Sequence, residues 1–122
     1  MNHEMTRRKL VDTFVHIAID EVIDGEAEVL RDPPGRRPPM DLVARSEWFV
    51  ALEADEQSLV IDTMREVAYG ALHRVLVALD GATPVGPGRL RLMWETAESV
   101  VDLTDASNEV ALHDLLAEIV GR

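Results

Sequence analysis

The 122-residue chain has no cysteine, few aromatic residues and a single lysine, Lys9, among its twelve basic residues. The absence of cysteine excludes disulfides, thiolate zinc ligands and a thiol nucleophile. With aromatic residues at only 4%, the core has to be built from Leu, Val, Ile, Ala and Met. Basic charge is also scarce: 23 acidic residues leave a formal net charge of −11. That surface repels phosphate backbones and no basic stripe reverses it, so no nucleic-acid partner is expected. A basic protein partner suits it better. No stretch approaches the ~18 uninterrupted apolar residues of a membrane helix. Asp12, His16 and Asp20 make the amino-terminal apolar stretch too polar for a signal-peptide core, so a cytoplasmic location and no membrane partner are expected. The chain contains no GxSxG, HExxH or P-loop motif. Accordingly no cofactor and no catalytic residue are assigned.

What the sequence does have is amphipathic periodicity. Its length suits one domain over 1–122, and 47% hydrophobic with 29% charged residues is ordinary globular composition. From Thr6 to Asp24, the residues Leu10, Phe14, Ile17, Ala18, Val22 and Ile23 share one helical face, and Gly25 suits a helix stop. Residues 31–39, RDPPGRRPP, cannot continue a helix and read as an exposed connector within the domain. Its arginines Arg31, Arg36 and Arg37 are a basic anomaly on an acidic protein, and they are candidate partner contacts. Between Asp41 and Leu52 the pattern predicts one helix or two short ones, with Ser46 as N-cap of the second. Trp48, Phe49 and Leu52 are spaced to grip a core. Trp48 and Phe49 are also candidates for a partner-binding anchor, because Trp is enriched where binding energy concentrates.

The run Asp55–Leu79 predicts a long central helix over about 55–80, N-capped by Asp55. Its inward face reads Leu59, with Val60 at its margin, Met64, Val67, Ala68, Ala71, Leu72, Val75, Leu76 and Leu79, and Gly70 is a point where another helix can cross closely. Residues 81–88, GATPVGPG, form a loop without a phosphate-binding pattern. In 89–104 a helical stripe (Leu90, Met93, Trp94, Ala97, Val100, Val101) competes with strict alternation. The Val100–Val101 pair and the preceding loop favour a two-stranded antiparallel hairpin turning at 96–99. That register sets Val101 and Leu103 opposite Trp94 and Leu92, and Asp102 diagonal to Arg91. A last helix is expected from about Asn108 to Val120, capped by Asp105, Ser107 or Asn108 and stopped by Gly121. The expected class is therefore α+β: mostly helical, about four helices around the long one, with a hairpin over about 89–104. A lone hairpin is marginal in water, so it must pack on helices or pair with a second hairpin; a homodimer is expected.

Two histidine–carboxylate patterns bear on chemistry. Asp12, His16 and Asp20 stand four apart, and Asp62, Glu66 and His73 share the polar face of the long helix. Were the two faces to meet, they would form a carboxylate–histidine metal site or a small-ligand site of an enzyme. Each is also the polar side of an amphipathic helix, which normally faces water, and that is the reading taken. Glu109 and His113 make an ordinary i,i+4 pair beside Asp114, and a catalytic His113 would still need an orienting group and a nucleophile.

SEWFVAL (46–52), ALHRVLVALDG (71–81), the hairpin and LHDLLAEIV (112–120) occur in an order that resembles small bacterial α+β proteins of unknown function, over residues 46–119. The resemblance implies the hairpin and carries no functional residue. The expected function is protein–protein interaction: an adaptor, an immunity-type inhibitor of a basic partner, or self-association.

Overall fold

The structure, a computed structural model, describes residues 3–104 and 110–121, with side chains from Thr6 onward. The elements in order are α1 (His3–Val15), a π-helical stretch (His16–Asp20), α2 (Glu21–Arg31), α3 (Met40–Val50), α4 (Ala54–Leu79), β1 (Met93–Glu95), β2 (Val100–Asp102) and α5 (Leu112–Val120). The protein is mostly helical α+β with one antiparallel hairpin, as expected. It groups into two compact units: Met1–His16 with Gly70–Arg122, and Ile17–Tyr69. We call them unit 1 and unit 2. Their limits fall inside continuous helical segments, in the π stretch and within α4.

Unit 1 has an aliphatic core of Val11, Leu72, Leu76, Leu103, Leu112, Leu115 and Leu116. The hairpin has the expected register, with Trp94 paired to Val101 and Met93 to Asp102. Beyond the paired residues, Leu103 N–H donates to the Leu92 carbonyl at 2.8 Å. The turn lacks Asn-Gly but has an equivalent: Thr96 Oγ1 accepts from the Glu98 and Ser99 amides at 3.3 and 3.1 Å. Arg7, read from the sequence as part of an amino-terminal basic cluster, is fully buried. Its guanidinium donates to the carbonyls of Leu103 and Val110, at 2.9 and 2.5 Å. At the end of α4, Gly81 takes φ +78° and Ala82 N–H reaches back to the Val77 carbonyl, a left-handed helix stop. Gly121 stops α5 in the same conformation, at φ +81°.

Unit 2 is built on α2 and α3, with Ile19, Ile23, Ala27 and Phe49 buried. Helix α3 is one helix, not two. Ser46 lies buried in its interior and is not a cap; the N-terminal position is held by Pro39, whose carbonyl accepts from the Val43 amide. Helix α4 opens one residue earlier than expected. Asp55 lies in its first turn, and the Glu56 carboxylate reaches back to the Glu53 amide at 3.0 Å. Gln57 Nε2 then donates to the Phe49 and Leu52 carbonyls at the end of α3, the first of which also accepts from the Leu52 amide.

Four expectations about helices are corrected. The first helix does not end at Gly25, which has no positive φ; the buried series Ile19, Ile23, Ala27 continues past it to Arg31. The inward face is only partly the one expected: Ile23 is buried and Leu10, Phe14 and Ala18 are half-buried, but Ile17 and Val22 are exposed while Val11 and Ile19 are buried. A π stretch closes i→i+5 hydrogen bonds, so residues after it are rotated from where a uniform 3.6-residue period puts them. In α4, Leu59, Val67 and Val75 are exposed. Within unit 2 the covered positions of this helix are Val60, Ile61, Met64 and Ala68; within unit 1 they are chiefly Leu72 and Leu76. Finally, Gly70 is no crossing point: a Cβ placed there would meet nothing within 4 Å.

Candidate functional site

Among the described residues no group of three or more His, Cys, Asp or Glu side chains could hold a metal ion. Asp12, His16, Asp62 and Glu66 are exposed on their helices, and Asp20 is ion-paired with Arg65 at 2.8 Å. The four-residue spacing of Asp12, His16 and Asp20 loses its meaning at the π stretch, which begins at His16.

Of the expected metal ligands, His73 lies beside another histidine, His113, from elsewhere in the chain. Helix α5 begins at Leu112, later than expected, and its N-terminal residue Ala111 has no capping side chain. Of the caps expected for it, Asp105, Ser107 and Asn108 lie outside the described residues. Asp80, the residue following α4, does the capping from 32 and 33 positions away. Its carboxylate accepts from the Leu112 and His113 amides at 3.0 and 2.9 Å. A carboxylate at the positive end of a helix is electrostatically favoured, and here the Asp80 side chain is only 3% exposed. The same Oδ2 lies 2.7 Å from His113 Nδ1. An ionised carboxylate can only accept, so it fixes the proton on Nδ1. His73 packs edge-on against the His113 ring, with centroids 5.6 Å apart. Nε2 of His113 lies 3.6 Å from Asp114 Oδ1.

This cluster contains an oriented imidazole, which is one part of a general base. No hydroxyl nucleophile is hydrogen-bonded to His113 among the described residues, and helix capping accounts for Asp80 in full. The sequence signal was faint: an aspartate just before a helix-stopping glycine, and a helix start at Ala111 with no cap of its own.

In the hairpin, Asp102 is held at a pKa of about 2, below the usual 3.8. The Thr104 hydroxyl is the main cause, followed by the Thr104 amide and Arg91, with burial working in the opposite direction. The Arg91–Asp102 pair is the diagonal pair read from the sequence.

The partner-binding candidates all belong to unit 2. Phe49 is fully buried, so only Trp48 of that pair, 54% exposed, is available to a partner. The two are neighbours in sequence but about 100° apart on the helix, and α2 covers only one of those directions. Val50 and Leu59 are also more than half exposed. The same stretch of chain, 47–62, carries the exposed carboxylates Glu47, Glu53, Asp55, Glu56 and Asp62. Arg31 is the last residue of α2 and lines a shallow cleft with Ile23, Glu28, Ile61 and Arg65. Arg36 and Arg37 are exposed in the irregular segment before α3. After them, beyond Pro38 and Pro39, comes Met40, 89% exposed.

No protein-family model matches the chain, and neither the curated proteins nor the solved structures contain a match to it.

Proposed function

We propose that this protein works by holding another protein at the α3–α4 corner of unit 2, as an adaptor or an inhibitor of a basic partner, or by self-association. The observation that carries the reading is Trp48, a large aromatic 54% exposed on α3, in a stretch of chain whose exposed charges are mostly acidic. Isolated apolar side chains on a surface are ordinary. Here a large exposed aromatic belongs to a segment whose exposed charge is mostly of one sign, which is the composition of a binding anchor with a polar rim. The complementary segment is basic with apolar side chains, so that it fills the Trp48 surface and neutralises the rim.

The test uses an 18-residue amphipathic Leu/Lys helical peptide, titrated into the full chain carrying Trp94→Phe so that emission reports Trp48. A saturable blue shift is expected, with binding about 10–30-fold weaker in a Trp48→Ala chain followed by calorimetry. An acidic Leu/Glu analogue should leave the spectrum unchanged. Equal binding of both peptides, or indifference to Trp48→Ala, would overturn the reading.

A further inference from the structure

Helix α3 carries charge at its two ends in the sense opposite to the one a helix favours. The macrodipole makes a helix N-terminus positive and its C-terminus negative, so acids belong at the start and bases at the end. Before α3 stand Arg36 and Arg37; at its end stand Glu47 and Glu53. Some neighbours have local explanations. Arg31 closes α2, Asp55 and Glu56 open α4, and Asp41 pairs with Arg45 at 2.8 Å along the helix. Arg36, Arg37 and Glu47 have none, whereas Glu53 also directly precedes α4, whose positive end favours it; all four are exposed. Apolar groups follow the same division. Met40 stands out beside the basic end and Trp48 near the acidic end, with the small, exposed Ala44 midway between them.

From this arrangement we infer that the segment seated on the Trp48 surface is the basic loop of a second copy of the same chain, in an antiparallel α3–α3 pairing about Ala44. Eight residues of helix separate Met40 from Trp48, about 12 Å. A two-fold axis at Ala44 therefore sets Met40 of each copy against Trp48 of the other, a thioether–aromatic pair. It also carries Arg36 and Arg37 of each copy towards Glu47 and Glu53 of the other. The alanine at the axis lets the helices approach closely. Prolines 33, 34, 38 and 39 restrict the loop before it docks, which lowers the entropy lost on binding. Net charge of −11 per chain opposes association at long range. What holds the copies together is the local complementarity of the two ends of α3.

This inference rests on the reading of Trp48 as a binding anchor, and a charge-swap experiment tests it separately. The native chain is followed by sedimentation equilibrium up to several hundred micromolar. Two variants are compared with it, Arg36→Glu/Arg37→Glu and Glu47→Arg/Glu53→Arg, each checked by circular dichroism. The native chain is expected to reach the mass of a dimer, and each variant alone to remain at 13.6 kDa. A one-to-one mixture of the two should recover the dimer, because both loop–surface contacts become complementary again. Recovery on mixing cannot arise from misfolding. A native chain that stays monomeric while still binding the basic peptide overturns the second copy as occupant and leaves the Trp48 reading standing. A dimer that survives both variants, or one lost only on Val100→Lys at the hairpin, overturns it as well.

Discussion

Asp80 shows how one side chain can carry several obligations. Its carboxylate accepts two α5 amides and the His113 ring, and it is nearly inaccessible to water. Removing a buried acceptor leaves its donors unsatisfied, which costs more than the net value of the bonds themselves. Asp80→Ala is therefore expected to lower unfolding stability by about 1–3 kcal/mol, read from the urea midpoint. Faster amide exchange at Leu112 and His113 should accompany it. Asp80→Asn keeps one acceptor oxygen and should lose less. An alanine variant with an unchanged midpoint would mean that water replaces the cap. The residue escaped the sequence reading for a physical reason: its partners lie 32 and 33 positions away, beyond any helical or strand period.

Elements were legible where local physics decides them and illegible where distant cover decides them. The hairpin register followed from strict alternation around a short turn, and Arg91 meeting Asp102 followed from the register. The existence of α4 and α5 followed from period and glycine stops. Which face of α4 is buried did not follow, because residues 54–69 and 70–79 belong to different units. The π stretch was hidden too, since it inserts a rotation that a uniform period cannot register. In the candidate site, the basic loop and Trp48 were visible in the sequence, but only the fold separates exposed Trp48 from buried Phe49. Gly70 provides the sharpest contrast. The sequence casts it as a close-packing point, whereas a methyl group there would touch nothing. Gly70→Ala should therefore stabilise the protein by about 0.5–1 kcal/mol, by removing backbone freedom from the unfolded chain. A rise in the thermal midpoint checks this, and a fall would restore the packing role.

At the scale of the molecule, the two units differ in how much apolar material they bury. Unit 1 encloses Val11, Leu72, Leu76, Leu103 and three leucines of α5, whereas unit 2 encloses two isoleucines, Ala27 and Phe49. Local opening is easiest where few buried side chains hold an element. In the monomeric Arg36→Glu/Arg37→Glu chain, α3 amides should exchange faster than those of α5 and of residues 72–79. Equal protection in α3 and α5 would show that the units open together. Arg7 adds a consequence in time. It is read out early in synthesis, yet its acceptors, the carbonyls of Leu103 and Val110, are made about a hundred residues later. All of Ile17–Tyr69 lies between, so unit 2 is complete as chain before unit 1 has more than its first strip. On the ribosome the smaller core can close first, while α1 waits for the two carbonyls that seat Arg7 until Leu103 and Val110 emerge.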